Sequence, residues 1–278
     1  MDPAVSAHPD SIDKSPNAKS KPRQRVTTRR LAKMRQQGER IAMLTAYDYP
    51  MAKRMDAAGV DIVLVGDSLG MVVQGHESTL KVTMDQMIYH AEMVGRAVDH
   101  AMVIVDLPFP EGQLSIDRTL EAATRVLQET RCQGVKLEGG SEQSARIEAL
   151  VAAGVPVMAH VGLRPQSIHV DGGYRMHRDR DRLVADARAA QNAGAFAVLV
   201  ECVPPEIGKG ITDALEVPTI GIGAGPHVSG QVLVTPDVLG MTAGHVPKFV
   251  KQFGDAGAVI DHAIADYVAE VKDAKFPS

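Results

Sequence analysis

The feature of this sequence that most constrains its fold is a regular alternation of short apolar runs and helical stretches from residue 41 onward. The short runs are apolar on both faces, as strands of a covered parallel sheet must be. We expect strands over residues 41–46, 61–65, 102–107, 134–137, 155–159, 195–200 and 217–220, and a weaker eighth strand near residues 232–239. This repeat predicts an α/β protein, a single (β/α)8 TIM barrel, ahead of the doubly wound sheet that is its rival.

The composition suits one domain of this length. The chain has 278 residues, of which 45% are hydrophobic and 23% charged, which is enough for one large core. Residues 1–25 contain prolines among Ser, Asp and Lys, and we expect them to form a disordered tail. The barrel domain is then expected over residues 26–278.

An amino-terminal helix is expected to precede the barrel. Thr28 can cap a helix that runs to about Gln37, and Gly38 can end it. Leu31 and Met34 are spaced to face inward from such a helix.

Charge and hydropathy exclude several classes of partner. A net charge of −4 argues against a nucleic-acid partner, which would require a basic face. The longest apolar runs, such as residues 196–200, are strand-sized and far short of the roughly 20 residues of a membrane span. The sequence has 2 cysteines, which give no disulfide framework and suit a reducing compartment.

Chemically reactive side chains stand at the carboxyl ends of several predicted strands. They are Asp67 and Ser68 after the second strand, Asp106 at the third, Lys136 and Glu138 at the fourth, His160 at the fifth and Glu201 at the sixth. Because these ends form one mouth in a barrel, the side chains are expected to converge in a single cleft. Clustered carboxylates repel one another unless a cation or shared protons intervene. A hard cation bound by oxygen atoms is therefore expected, Mg²⁺ before Zn²⁺.

Cys202 and the glycine run at 221–225 invite functional interpretations. If Glu201 points into the mouth, strand alternation directs Cys202 toward the helices, so a catalytic thiol is not expected there. The run Gly-Ile-Gly-Ala-Gly can either cradle a phosphate or form a tight turn, with the turn slightly favoured. Its spacing is not that of a dinucleotide-binding fingerprint.

Eight segments together match the motifs of one known family. They are Met-Leu-Thr-Ala-Tyr-Asp-Tyr from residue 43, Leu-Val-Gly-Asp-Ser-Leu-Gly from 64, Val-Gln-Gly-His from 73, Asp-Leu-Pro-Phe from 106, Val-Lys-Leu-Glu-Gly-Gly from 135, His-Val-Gly-Leu from 160, Pro-Gln-Ser from 165, and the glycine run at 221–225. Through them the chain resembles the ketopantoate hydroxymethyltransferase family over roughly residues 27–277.

The resemblance implies a (β/α)8 barrel enzyme of pantothenate biosynthesis. Such enzymes transfer a one-carbon unit from 5,10-methylenetetrahydrofolate to the 2-oxo acid 3-methyl-2-oxobutanoate, giving 2-dehydropantoate. It also implies a homo-oligomer, a decamer of two stacked five-membered rings, located in the cytoplasm.

The resemblance also implies roles for individual residues. The matching positions are Asp67, Asp106 and Glu138 for Mg²⁺, Asp67, Ser68, Asp106 and Lys136 for the keto acid, and Glu201 for the proton acceptor. The chain departs from the family pattern at residues 110–112, in a shorter loop after Tyr174, and at Arg164, where Thr is usual. None of these departures falls on the acidic residues.

The expected chemistry begins with loss of the C3 proton of the keto acid. Mg²⁺ can bind the keto and carboxylate oxygens of a 2-oxo acid and stabilise the enolate. Lys136 can add positive charge nearby, Ser68 can donate a hydrogen bond, and Glu201 takes the proton. The enolate then attacks the methylene group of the folate.

Two alternatives are weighed against the transferase. The first is an isocitrate lyase or phosphoenolpyruvate mutase-like lyase acting on a 2-oxo acid, but such enzymes carry a cysteine-containing loop, and no cysteine lies between Asp106 and Arg131. The second is a non-enzymatic binding protein on a barrel scaffold. Such a protein would be expected to have lost some charged residues of the mouth, whereas all of them are present here.

Overall fold

Eight parallel strands form a closed barrel in the computed structural model, which describes residues 24–242, 244 and 246–277. The strands are β1 (Ile41–Thr45), β2 (Ile62–Val65), β3 (Met102–Asp106), β4 (Gly134–Glu138), β5 (Val157–Gly162), β6 (Ala197–Glu201), β7 (Thr219–Ile222) and β8 (Gly230–Leu233). Each strand pairs with its sequence neighbours, and β8 closes the barrel against β1. The predicted (β/α)8 fold is confirmed.

Helices connect most of the strands and pack around them. They are α1 (Thr28–Gln36), α2 (Tyr49–Ala58), α3 (Leu69–Val72), α4 (Met84–Ala97), α5 (Ile116–Glu129), α6 (Ser144–Ala152), α7 (Ile168–Asp171), α8 (Arg180–Asn192), α9 (Pro205–Ala214), α10 (Thr235–Val238) and α11 (Ala256–Lys272). Short 3₁₀ turns lie at Thr79–Lys81, Ser141–Gln143 and Pro165–Ser167. In the part of the chain that the structure describes, no helix is long and apolar enough to cross a membrane.

The cap of α1, the extent of β8 and the amino-terminal residues can each be compared with the sequence-based expectation. The first helix is capped by Thr27 and not by Thr28, because the Thr27 side chain accepts a hydrogen bond from the Arg30 backbone N–H. The predicted eighth strand is wrong beyond residue 233, where Pro236 lies in the first turn of α10, a position that proline favours. The predicted tail lies outside the described residues up to residue 23, and Arg25 already donates a hydrogen bond to the Asp99 carbonyl.

The barrel interior is a packed apolar core, closed at the amino ends of the strands. Side chains such as Ile62, Leu199 and Val232 fill it, and Leu31 and Met34 of α1 belong to the same cluster. A second, larger core fills the space between the strands and the surrounding helices. Because α1 covers the amino end, the carboxyl end of the strands is the open mouth, where barrels of this kind place their sites.

Among the described residues, no helix covers one side of the barrel. The connection from β7 to β8 is a turn without a helix, and Gln231 and Ala42, which are register partners on β8 and β1, are exposed. The long helix α11 contributes no buried residue to the described structure. Its apolar side chains include Ile264, which is 57% exposed, and Val268, which is 40% exposed.

Asp56 fixes the loop that leads into β3, which yields a prediction about stability. Its buried carboxylate accepts hydrogen bonds from the backbone N–H groups of Asp99, His100 and Ala101 at 2.8 to 3.3 Å. Asp56→Ala would leave these donors without that acceptor, and we expect a loss of about 2–4 kcal/mol. A thermal melt should show Tm lowered by roughly 5–10 °C.

A matched control for this prediction is Asp181→Ala. The Asp181 side chain is 97% exposed, so its removal should change Tm little. If Asp56→Ala had the same Tm as the wild-type protein, the Asp56 carboxylate would not stabilise this loop.

Candidate active site

The carboxyl ends of β2 to β6 bring the predicted reactive side chains into one cluster. Asp106, Glu138 and Glu201 are the last residues of their strands, and Asp67 follows β2 after one glycine. The strand register sets Asp106 beside Lys136 and Glu138 beside His160. Apart from Glu201, whose side chain is 17% exposed, the ionisable members of the cluster are buried.

Lys136 lies at the centre of the cluster. Its Nζ is 3.0 Å from Asp106 Oδ1 and 3.9 Å from Glu138 Oε1. The same nitrogen is 3.2 Å from His160 Nδ1. Burial lowers the pKa of Lys136, but the charges of Asp106, Glu138 and Asp67 outweigh burial and raise it. The side chain is therefore a buried ammonium ion.

His160 joins Glu138 to Glu201. Its Nδ1 is 3.5 Å from Glu138 Oε1, and its Nε2 is 3.3 Å from Glu201 Oε2, although the second contact is not aligned as a hydrogen bond. Burial and the Lys136 charge lower the pKa of His160, but its two carboxylate partners outweigh them and raise it. The imidazole thus connects the acid at the end of β6 with the buried cluster.

Asp67 and Asp106 form the most crowded part of the cluster. The Asp67 backbone N–H donates to Asp106 Oδ2 at 3.0 Å. Burial, followed by the negative charges of Asp106 and Glu138, raises the pKa of Asp67 well above its ordinary value. Burial also raises the pKa of Asp106, against the opposing effect of Lys136. If Asp67, Asp106 and Glu138 were all ionised, their negative charge would exceed what Lys136 offsets.

This charge excess is what a bound divalent cation would relieve. Asp106 Oδ1 is buried and makes no hydrogen bond, although Lys136 lies beside it as an ion pair. Among the described residues, no three His, Cys, Asp or Glu side chains already stand at metal-ligand spacing. Both Glu138 oxygens have neighbours, His160 at Oε1 and the Gln166 N–H at Oε2. Charge and oxygen donors fit a hard cation such as Mg²⁺, and the predicted three-ligand set stays a prediction.

Ser68 is held at the edge of the cluster by Tyr47. The two hydroxyl oxygens are 2.8 Å apart. Burial raises the pKa of Tyr47, so its phenol keeps its proton and can donate to Ser68 Oγ. This leaves the Ser68 hydroxyl hydrogen free to point toward a ligand.

Gln166 contacts this cluster, although the sequence does not predict a site role for it. Its side chain donates a hydrogen bond to Asp67 Oδ2 at 2.8 Å. The only signal in the sequence was its place in the segment Pro165-Gln166-Ser167, directly after a predicted strand. Tyr174 was likewise unassigned: burial and then the charges of Glu201 and Asp67 raise its pKa, and its hydroxyl donates to Met71 Sδ.

Cys202 and the glycine run have structural explanations. Cys202 lies past the end of β6 with φ 48°, so strand alternation does not extend to it, and its thiol is half-buried. Burial and the Glu201 charge raise the pKa of Cys202 to about 11, which keeps the thiol protonated at neutral pH. A Cβ atom on Gly223 would lie 2.8 Å from Phe249, and one on Gly225 would lie 2.6 Å from Pro205. This close packing is that of a tight turn.

Solved structures of other proteins share this architecture. Phosphonopyruvate hydrolase in complex with oxalate and Mg²⁺ superposes with a TM-score of 0.61 at 14% identity, over 90% of this chain and 91% of that one. A 2,3-dimethylmalate lyase of the PEP mutase/isocitrate lyase superfamily gives 0.58 at 17% identity, over 90% and 89%. At these identities the likeness shows the fold alone. The protein is therefore a (β/α)8 barrel with a PEP mutase/isocitrate lyase-like fold.

Sequence comparison narrows this class to one family. The sequence model described as ketopantoate hydroxymethyltransferase matches residues 25–278. The 3-methyl-2-oxobutanoate hydroxymethyltransferase of Rhodopirellula baltica is 66% identical over 93% of this chain and 96% of that protein. Its counterpart in Desulforapulum autotrophicum is 52% identical over 91% and 97%. The chain belongs to the ketopantoate hydroxymethyltransferase family, and it is a hydroxymethyltransferase.

Proposed function

We propose that this enzyme transfers a hydroxymethyl group from 5,10-methylenetetrahydrofolate to 3-methyl-2-oxobutanoate, forming 2-dehydropantoate in pantothenate and coenzyme A biosynthesis. The name of a relative with 66% identity supports the keto acid as acceptor. The observation that carries the proposal is the buried cluster of carboxylates around Lys136, with Glu201 at its more exposed edge. We place the reaction in the cytoplasm, a reducing compartment that suits the free Cys132 and Cys202.

The buried end of the site is proposed to hold the metal and the keto acid. Asp67, Asp106 and Glu138 would hold Mg²⁺, which when bound supplies Lewis-acid stabilisation of developing enolate charge. Lys136 places its ammonium group beside the substrate carboxylate or enolate oxygen. Ser68, whose hydroxyl oxygen lies 2.8 Å from that of Tyr47, would donate a hydrogen bond to the substrate.

Glu201 is proposed to take the proton from C3 of the keto acid. Its carboxylate is partly exposed and lies 3.3 Å from His160 Nε2, at the rim of the cluster. The electron pair of the broken C3–H bond enters the enolate, and C3 then bonds to the methylene carbon of the folate. One water molecule supplies the oxygen of the new hydroxyl group. Both C–N bonds of the folate methylene carbon break, and the two nitrogens take up the C3 proton and one proton of the water, which leaves tetrahydrofolate.

The first half of this reaction can be tested without the folate. Enzyme, Mg²⁺ and 3-methyl-2-oxobutanoate in D₂O should show loss of the C3–H signal by NMR as the proton exchanges with solvent. Products of C–C cleavage would favour a lyase of the isocitrate lyase or phosphoenolpyruvate mutase type. An unchanged spectrum would favour a binding protein and overturn the proposal.

We further propose that the protein is a homo-oligomer, a decamer as in the family. Two features of the described residues support this proposal. α11 has no buried residue, and no described helix covers the outer side of β8 and β1. Apolar side chains of α11 recur at helical spacing, as at Ile260, Ile264 and Val268. A second copy that covers these surfaces removes them from water on both sides of a symmetric contact.

This contact predicts the effect of a charge placed on the apolar face of α11. Ile264→Glu should shift the sedimentation coefficient toward smaller species, since a buried carboxylate without a partner is costly in an interface. His262→Glu, at a side chain that is 80% exposed on the same helix, should leave sedimentation unchanged. Equal sedimentation of the Ile264→Glu variant and the wild type would show that α11 is not in the contact.

A further inference from the structure

Gln166 contacts two carboxylates of the site from one position. Its Nε2 donates to Asp67 Oδ2 at 2.8 Å, and its backbone N–H donates to Glu138 Oε2 at 3.0 Å. The same Nε2 also donates to the Leu107 carbonyl oxygen at 3.0 Å. Gln166 is buried, so these hydrogen bonds lie out of competition with solvent. One residue of the turn after β5 thus orients acids that belong to β2 and β4.

Gln113 contacts the other end of the Gln166 amide. Gln113 Nε2 donates to Gln166 Oε1 at 2.8 Å, which agrees with an amide nitrogen that faces the acceptors Asp67 and Leu107. The backbone carbonyl of Gln113 in turn accepts from Arg146 Nη2 at 2.9 Å. Gln113 directly follows the loop at residues 110–112. This loop is therefore connected to the site through a pair of amides.

We infer that Gln166 is a positioning residue that holds the Asp67 carboxylate for metal and keto-acid binding, and that Gln113 acts through it. The negative charges of Asp106 and Glu138 repel the buried carboxylate of Asp67. The hydrogen bond from the Gln166 amide holds that carboxylate in position against this repulsion. The inference rests on the proposed function, because it assigns Asp67 a ligand to hold. Hydrogen-bond partners that orient ligating side chains typically change metal affinity or activity by about 10–100-fold when removed.

Gln166→Met tests the role of the amide with little change in side-chain length. Mn²⁺ is the probe, with affinity measured by electron paramagnetic resonance, and C3–H exchange is followed by NMR at saturating metal. We expect Mn²⁺ affinity to fall by about 10–100-fold.

Gln143→Met is the matched control. Gln143 is also a buried glutamine, and its Nε2 donates to the Glu138 backbone carbonyl at 3.2 Å without contacting a carboxylate. If Gln166 were merely structural, both variants would lower Tm and neither would change Mn²⁺ affinity. We expect the affinity change in Gln166→Met alone.

Gln113→Met supplies a second variant, at a less buried residue. We expect it to weaken Mn²⁺ binding by about 3–10-fold, and to have no further effect when combined with Gln166→Met, because a residue that acts through another adds nothing once that residue is gone. Additive effects would overturn the role given to Gln113. Unchanged affinity in Gln166→Met, with a wild type that binds Mn²⁺, would overturn the inference alone. A wild type that binds no Mn²⁺ would overturn the proposed function together with it.

Discussion

Glu201→Gln is expected to stop exchange of the keto-acid C3 proton with solvent while keeping metal and keto-acid binding. Glutamine has nearly the shape of glutamate and can occupy the same place, 3.3 Å from His160 Nε2. What the variant loses is a group that can take a proton. A positioned base contributes about 10²–10⁴-fold, so exchange and turnover should both fall by that factor.

Three measurements give this prediction its controls. Calorimetric titration with Mg²⁺ and with the keto acid should return affinities close to those of the wild type. Glu206→Gln makes the same change at an exposed position of α9 and should leave the exchange rate unaltered. Exchange in Glu201→Gln at nearly the wild-type rate would place the base elsewhere in the mouth.

The second large effect is expected for Asp67→Asn. The amide removes one negative charge from a buried group of acids, and burial together with Asp106 and Glu138 already disfavours that charge, as the raised pKa of Asp67 shows. The variant should therefore be as stable as the wild type or more stable. Mg²⁺ affinity should nevertheless fall at least about tenfold, because carboxylate charge sets the affinity of such sites.

Unchanged or higher stability together with lower Mg²⁺ affinity distinguishes a metal ligand from an acid with a purely structural role. A structural acid would lose stability on substitution and leave the metal titration unchanged. Asp61→Asn is the matched control. Asp61 immediately precedes β2, whereas Asp67 follows it, and the Asp61 carboxylate accepts a hydrogen bond from the Ala42 N–H at 2.9 Å. Calorimetry and thermal melts on the two variants together decide the role of Asp67.

The fold could be predicted to the extent that strands are buried on both faces. All four residues of β2 are buried, and so are all five of β3, which makes their apolar runs conspicuous in the sequence. β8 differs because its outward residue Gln231 is exposed, so its pattern alternates and its bounds could not be predicted. The exposure of this side of the barrel is therefore also the reason that the apolar pattern of β8 is weak in the sequence.

The site could be predicted in its residue types and not in its contacts. Strand topology places Asp106, Lys136 and Glu138 at one mouth once the barrel is assumed. The hydrogen bond from Gln166 to Asp67 joins positions 99 residues apart, and no local pattern announces it. The link from His160 to Glu201 also depends on side-chain reach across β5 and β6, which register alone leaves undetermined.

The closure of one barrel end by α1 has a consequence for the order of events in turnover. With Leu31 and Met34 in the core at the far end, the mouth is the side of the described barrel from which the proposed reactants would enter. The buried cluster lies beneath that entrance, whereas Glu201 and Tyr174 are closer to solvent. In the proposed function the keto acid binds at the buried cluster, so we expect it to bind before the folate and its product to leave after tetrahydrofolate.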